Sequence, residues 1–398
     1  MNSEYSVKVL RSFAEVEALR PMWESWHGHR DSDIDFFSDV AKSNPQTLRP
    51  HVIVVCYCDR PEAILIGRID VTQLWLRIGY WQVPTPQVSL LTFVIGAHRG
   101  NGSPFTTELL FREVLNSLKR GEAQAARLDY IRSGSALHRL VTSMPSFLGR
   151  DYGVAATPHW LMDLPSTYEG ILRSLSGDLR NQLKRKAKRL VAAFPDALVR
   201  CFEKPEELEI LLRDTEAIAS HSYQRGLKVG FLDTQTTRTV LGSQMGKNRY
   251  LGYVLYLKGR PSAFWLGGCL DSVFYSDYLA FDPEYSEYSP GIYLQTRVLE
   301  DLVRREASKI DFGPGDARYK AQFGTVCHEE MTQYVFPPTL KGTTLNTLRL
   351  ATTFGNKAAK RIVQSLGVLP SLKRAVRDAK KPPPKSTPPA LHVSVRDS

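Results

Sequence analysis

Cysteine is scarce in this chain: five occur among 398 residues, at positions 56, 58, 201, 269 and 327. An odd number at uneven spacing does not form a disulfide framework. Cys56 and Cys58 flank Tyr57 in an apolar run beginning at Val52, where strand periodicity would turn both to one buried face. A metal pair would need a second Cys/His pair at ligand spacing, and none follows. Long apolar runs are also missing. The best candidate, Val88 to Ala97, contains Ser89 and Thr92 and falls short of the roughly 18 residues that cross a bilayer. The start, Met-Asn-Ser-Glu-Tyr, lacks the basic-then-apolar pattern of a secretory leader, Asn2 stands where myristoylation requires glycine, and no CaaX cysteine closes the chain. A cytoplasmic protein is expected. No Gly-x-Ser-x-Gly elbow supports a hydrolase triad around His221. No HRD loop or glycine-rich ATP loop makes the Asp311-Phe312-Gly313 triplet a kinase signature.

What the chain has is core material and a lopsided charge. Hydrophobic residues make up 42% and charged residues 23%, which excludes wholesale disorder. Of the net charge of +11, the residues from Lys341 onward carry +10, so the first 340 are nearly neutral. A protein-wide nucleic-acid surface is thereby excluded, and no specific DNA binding is expected. Within the basic segment, Leu348, Ala351, Phe354, Ala358, Ile362 and Val363 recur at helical spacing and predict a helix packed on the body through that face. Lys380 to Pro389 is too rich in Pro and Lys to bury a core and reads as a disordered end. The cationic tail also suits peripheral contact with an anionic membrane at its inner face.

Hydrophobic periodicity divides the rest into two similar halves. The first reads as a strand at Val7–Leu10, a helix from Phe13, strands near Val52–Cys58, Ala63–Ile69 and Val88–Ile95, a glycine-rich loop over 96–104, a helix at 105–118 and a strand at 126–131. The second reads as a long basic helix over 167–194 with a candidate break at Gly177, then strand, helix, three strands, a helix from Pro290 and a strand at 309–312. The shared order, β, α, β, β, β, α, β, predicts a duplicated α/β (α+β) architecture with mixed sheets: residues 1–155, residues 156–340, and a basic helical appendage over 341–398. Two separate sheets with a cleft between them are expected.

Two segments of the second half carry chemistry. Ser289-Pro290-Gly291 suits the start of a helix, with serine at the N-cap, proline at the first position and glycine admitting a ligand to the backbone; such an end attracts phosphate. Asp311-Phe-Gly-Pro-Gly-Asp-Ala-Arg-Tyr-Lys-Ala-Gln-Phe-Gly324 leaves a strand end, turns on glycines and gathers Asp316, Arg318, Tyr319 and Lys320, at the kind of place where α/β ligand sites form.

The tandem element order resembles the GNAT acyltransferases. The 311–324 string, with Tyr288-Ser-Pro-Gly291 and Leu175-Ser-Gly-Asp-Leu-Arg180, is similar to the CelD/BcsL-type acetyltransferases related to FemAB-like double-GNAT proteins. The resemblance spans about Val7 to Tyr334. It implies an acyltransferase, with acetyl-CoA or another acyl-CoA as donor, no metal, and an amine or hydroxyl of a sugar, polysaccharide precursor or similar envelope-related acceptor. One departure is that the donor loop holds Glu287 and a single glycine where GNAT enzymes carry a glycine-rich pyrophosphate loop. Two alternatives follow: a non-catalytic scaffold in polysaccharide assembly, or transfer from aminoacyl-tRNA. The first half, without a Tyr-Lys pair, reads as degenerate and as shaping the cleft.

Acyl transfer needs a held donor, a deprotonated nucleophile and a proton for the leaving group. Tyr319 is the candidate acid, Lys320 the candidate partner of donor phosphates and the residue expected to matter most, and Asp316 a candidate for orienting the acceptor. Phe281, Ser289, Pro290, Gly291 and Arg318 are assigned to the donor. Arg180, His221, Tyr223 and Tyr278 are assigned to the acceptor; Asp277 and Tyr278 alternate along a strand, so only one of them is expected to face the cleft.

Overall fold

The computed structural model describes residues 4–78, 81–222, 225 and 230–365. In the first half, β1 (Tyr5–Leu10) leads through α1 (Phe13–Ala18), α2 (Arg20–Glu24) and α3 (Ile34–Ser43) to a meander of β2 (Thr47–Tyr57), β3 (Arg60–Ile78) and β4 (Trp81–Gly100). It continues as α4 (Pro104–Lys119), β5 (Ala125–Arg132) and α5 (Ala136–Ser143). After β6 (Thr157–Asp163) the second half runs α6 (Tyr168–Ser174), α7 (Gly177–Ala193), β7 (Leu198–Phe202), α8 (Leu208–His221), α9 (Gln235–Gly246), β8 (Tyr250–Leu257), β9 (Arg260–Leu270) and β10 (Val273–Phe281). Then come α10 (Pro290–Arg304), β11 (Lys309–Pro314), α11 (Arg318–Phe323), β12 (Val326–Val335) and α12 (Leu340–Ser365).

The repeated order is present, but the two sheets are not separate. All twelve strands form one sheet in the order β1-β2-β3-β4-β5-β12-β6-β11-β10-β9-β8-β7. The joining strand is β12, antiparallel to β5 on one side (Met331 opposite Ile131) and to β6 on the other (His328 opposite His159). The sequence reading lacked this strand because its residues, Val-Cys-His-Glu-Glu-Met-Thr-Gln-Tyr-Val, are mostly polar. The halves keep their own cores: one around Trp23, Phe93 and Phe111, the others around Trp265, Phe274 and Phe312 and around Phe231 and Phe264.

In each half one pair of neighbouring strands is parallel and short. β4 pairs with β5 only from Leu90–Ala125 to Phe93–Leu128. β10 pairs with β11 only from Val273–Lys309 to Tyr275–Asp311. Beyond these pairs the strands part, leaving a wedge in the sheet. The helix that follows β4 or β10 starts over the corresponding wedge, so both clefts sit at strand ends beside a helix N-terminus.

Several local expectations are corrected. The basic helix is two helices, and the break precedes Gly177: the Ser176 hydroxyl accepts from the Leu179 amide and starts α7. The glycine-rich loop contracts to residues 101–103, because Gly96–Gly100 extend β4. Gly100 has φ +87°, and a Cβ there would lie 2.2 Å from the Glu62 carbonyl oxygen, so only glycine fits this end of the β3–β4 pair. Cys56 is buried, but Cys58 is exposed in the turn after β2 with φ 46° and does not share its face.

The appendage is helical over its described length, yet it presents the opposite face to the body. Leu348, Ala351, Phe354 and Ala358 are exposed. The contact combines Leu345, packed on the apolar cluster of Leu74, Val88, Leu90 and Phe336, with buried Asn346, whose amide donates to the carbonyls of Leu148 (2.7 Å) and Arg150 (2.8 Å), and Arg349, paired with Asp151 at 2.9 Å. Side chains of Ile362 and Val363, and the tail from 366 onward, lie outside the description. Replacing Asn346 with Ala removes the donor from two carbonyls and should lower stability by about 1–3 kcal/mol in chemical denaturation; an unchanged midpoint would mean that α12 is not held at this point.

Candidate functional site

The second-half wedge contains a cavity of about 250 Å3 lined by Phe281, Ser289, Gly291, Ile292, Gln295 and Tyr319 among others. Four residues expected around the donor or the chemistry, Phe281, Ser289, Gly291 and Tyr319, therefore come together. Ser289 stands at the N-cap but does not cap with its side chain. Its backbone is left-handed (φ 56°, ψ 53°), and its carbonyl accepts from the Ile292 and Tyr293 amides. Such a conformation at a non-glycine residue costs on the order of 1–3 kcal/mol and is held by its surroundings. Ser289 is one of the residues lining the cavity. Pro290 is buried and has no N–H, so the Gly291 amide is the first donor of α10, without a partner among the described residues. Tyr319 packs its ring edge-on against Phe312, centroids 6.0 Å apart.

The acidic departure in the donor loop is neutralised locally. Glu287 pairs with Arg189 of α7 at 3.1 Å, and the Arg189 guanidinium also lies over the Tyr288 ring. Phe194, just after α7, packs edge-on against Tyr285 and Tyr288. These contacts bring the basic helix beside the loop, with Lys184, Arg185 and Lys188 exposed along it.

Other expected residues are placed elsewhere. The Lys320 ammonium donates to the carbonyls of Gly313 (3.2 Å) and Pro314 (2.9 Å) and ties down the end of β11. Burial lowers its pKa, and the nearby Asp311 charge partly opposes the shift. Arg318 lines a different hollow with Leu175, Ser176 and Phe323. Asp316 is exposed. Arg180 donates to the Leu175 carbonyl at 3.3 Å, at the break between α6 and α7. His221 is exposed at the end of α8, 3.5 Å from the Asp282 carboxylate. Tyr223 lies outside the described residues. Asp277 and Tyr278 line the same hollow, because a bulge between Ser276 and Tyr278 breaks the alternation that would have separated them.

The first-half wedge is larger, about 460 Å3, and its floor is a polar cluster unforeseen in the sequence. His159 of β6 is buried between two carboxylates: Nε2 lies 2.7 Å from Asp311 Oδ1, and Nδ1 lies 2.7 Å from Glu330 Oε2. Carboxylates only accept, so both ring nitrogens carry protons and the ring is an imidazolium. Burial disfavours the charged ring, but the hydrogen bonds to Asp311 and Glu330 outweigh it and raise the pKa to about 9. Asp311 also accepts from the Gly313 amide at 2.7 Å and faces His29 Nε2 at 3.5 Å. Burial pushes its carboxyl up, yet the bonds from His159 and His29 hold it well below the usual carboxylate range.

The cluster extends through Glu330 Oε1 to His328 Nε2 at 3.0 Å, and the His328 ring stacks on His159 at 4.8 Å between centroids. His29 is held from outside: its Nδ1 accepts from the Asp31 amide, and Arg99 donates to the carbonyls of His29 and Trp26 and to the Ser32 hydroxyl. The adjacent Arg30 forms a two-point pair with Asp277 of β10, at 2.7 and 2.9 Å. One sequence signal pointed here: His-x-Glu at 328–330 puts both side chains on one face of a strand. Their partners, His159 and Asp311, become neighbours only through the strand order.

His159, His328 and Glu330 bring potential ligand atoms within 4.8 Å of one another, as a metal site would. Here both His159 nitrogens are already engaged as donors, and an ion would have to displace a proton and a carboxylate from that ring.

Comparison with known proteins agrees with this architecture. Residues 177–321 match the family model described as an acetyltransferase (GNAT) domain. FemX superposes with a TM-score of 0.54 at 10% identity, over 83% of this chain and 97% of that one. L-PGS from Bacillus licheniformis superposes with a TM-score of 0.50 at 12% identity, over 87% and 98%. A conserved protein of unknown function from Bacteroides thetaiotaomicron gives 0.51 at 10%, over 82% and 100%. At these identities the likeness is one of fold. No curated protein matches the sequence.

The His159 cluster should make stability depend on pH in a defined direction. Its folded pKa of about 9 exceeds the ordinary 6.5, so its contribution is full below 6.5 and is lost as pH rises through 9. The melting temperature of the wild-type chain should fall across that interval, and a His159→Gln chain, less stable throughout, should show a shallower fall. Parallel pH profiles for the two would show that the ring is not charged.

Proposed function

We propose that this chain, a GNAT acyltransferase whose acetyltransferase domain spans residues 177–321, takes acetyl-CoA or another acyl-CoA in its second-half cleft. The acyl group passes to an amine or hydroxyl of a sugar-like or polysaccharide-precursor acceptor. The observation that carries this reading is the wedge between β10 and β11, with the start of α10 over it and Ser289, Gly291, Phe281 and Tyr319 on one cavity wall. The cavity accommodates the acyl-bearing end of the donor. The phosphates would lie outside it, near the Gly291 amide and the cations of α7. A helix N-terminus favours such an anion by roughly 0.3–2 kcal/mol. Arg189 offsets the repulsion expected from Glu287.

In the reaction, the acceptor heteroatom attacks the thioester carbonyl carbon, the C–S bond breaks, and the sulfur leaves with a proton. Tyr319, on the cavity wall, is suited to supply that proton or to position the thioester. Lys320 acts through the backbone, by tying α11, which carries Tyr319, to the end of β11, rather than by touching donor phosphate.

Beyond the reaction, no helix of the described residues is long and apolar enough to cross a membrane. The exposed stripe of α12, followed by the cationic tail, supports contact with an anionic bilayer surface.

The donor site is tested by calorimetry with acetyl-CoA. Gly291→Val places a branched side chain at the mouth of the cavity and should weaken binding at least about tenfold, equivalent to roughly 1.4 kcal/mol, without changing the melting temperature. Lys320→Ala should lower the melting temperature more than it changes affinity. Equal affinity for wild type and Gly291→Val would place the donor elsewhere. If no CoA ester binds the wild type, an aminoacyl-tRNA donor or a scaffold role takes precedence.

A further inference from the structure

The first-half cavity is larger than the donor cavity, about 460 against 250 Å3, and the donor reading leaves it without a task. It is not a vestige lined by inert residues. His98 lines it with Nε2 buried and without a hydrogen-bond partner. Burial lowers the His98 pKa, with a backbone contact from Asn101 opposing the shift. A buried polar atom left unpaired is where a ligand's polar group would be satisfied.

On the floor, His328 Nε2 lies 3.0 Å from Glu330 Oε1; a carboxylate accepts, so Nε2–H donates, and in the neutral ring Nδ1 is the nitrogen with the lone pair. An imidazole oriented by a carboxylate in this way has the arrangement of a general base. Asp311, the last β11 residue paired with β10, also belongs to the cavity wall. The apex of the donor cleft therefore borders the first-half cavity. The wall is close to charge balance: Asp129 is paired with Arg127 at 2.8 Å, and Asp311 and Glu330 stand against the His159 imidazolium and Arg132.

We infer that the first-half cleft is the acceptor site and that His328, oriented by Glu330, is the base that deprotonates an amine held there. This assignment rests on the donor occupying the second-half cleft. An amine entering as ammonium gives one proton to His328 Nδ1, which passes it to water. The neutral nitrogen attacks the thioester carbonyl, its second proton goes to the same Nδ1, and the C–S electron pair leaves on sulfur, which is protonated by Tyr319. Both groups re-equilibrate with water, and the products are an amide, a free thiol and one released proton.

The test uses the full chain with acetyl-CoA as donor and ethanolamine as a small amine, following thiol release. His328→Ala and His328→Asn should each lower kcat by about 100-fold, the scale of general-base catalysis, while the calorimetric affinity for acetyl-CoA stays unchanged. Rates within threefold of wild type in a folded variant would overturn the assignment. So would a wild type that binds acetyl-CoA but releases no thiol with ethanolamine, or activity abolished by EDTA and restored by zinc, which would make the cluster a metal site.

A second measurement does not need the donor. In 15N-histidine-labelled protein, the His328 ring should be the Nε2–H tautomer, and titration with ethanolamine should shift the His328 and His98 ring signals. The tautomer preference should vanish in Glu330→Gln. Absence of any shift overturns the acceptor site whether or not acetyl-CoA binds, whereas failure of acetyl-CoA to bind, with the shifts intact, removes only the donor reading.

Discussion

One charged ring holds the centre of this molecule. His159 lies between Asp311 and Glu330 at 2.7 Å on each side, and these residues belong to three adjacent strands, β6, β11 and β12. Those strands are the seam between the halves. Two carboxylates buried here without a cation would repel each other and would lack the solvation that bulk water provides, and either would tend to take up a proton. With the imidazolium between them the arrangement has a single buried cation, directional bonds and one register for all three strands. The neighbouring connections follow from it. Asp311 also receives the Gly313 amide and faces His29, and the His29 segment carries Arg30 across to Asp277.

The arrangement explains how two weakly similar halves make one machine. Each supplies a pair of parallel strands that part over a helix N-terminus. The second-half wedge is narrow and walled by aromatic and small residues, the surroundings suited to a thioester arm. The first-half wedge is wider and floored by titratable groups. β11 forms one side of the second-half wedge, and its Asp311, the last residue paired with β10, lines the first-half cavity.

Much of this was legible in the sequence, for physical reasons that also mark the limit. Periodicity of 3.6 or 2 residues identifies elements whose faces differ in polarity, so the helices at α4, α7 and α10 and the apolar strands stood out. The donor wall was legible because Ser289, Pro290 and Gly291 are local backbone signals. β12 was not, since a strand buried between neighbours at a polar seam has no apolar alternation to display. The His159 cluster was hidden for the same reason: its members are separated by about 150 to 170 positions and meet only through strand order. The reading of α12 failed in an instructive way. The apolar stripe was real, but the docked face is another one, where Leu345 meets a small apolar cluster and Asn346 and Arg349 meet the backbone carbonyls and carboxylate of the 148–151 segment.

The position of β12 also bears on how the protein is made. The first half has all of its other strands once residue 132 is synthesised, but the neighbour of β5 lies at 326–335. During translation the edge of β5 waits for roughly 200 more residues, about 10–40 s at 5–20 residues per second. Through that interval its backbone donors and acceptors face water beside a nearly complete core, the situation in which sheet edges find the wrong partner. The fold is thus a clasp: neither half is finished until the strand at 326–335 enters between β5 and β6.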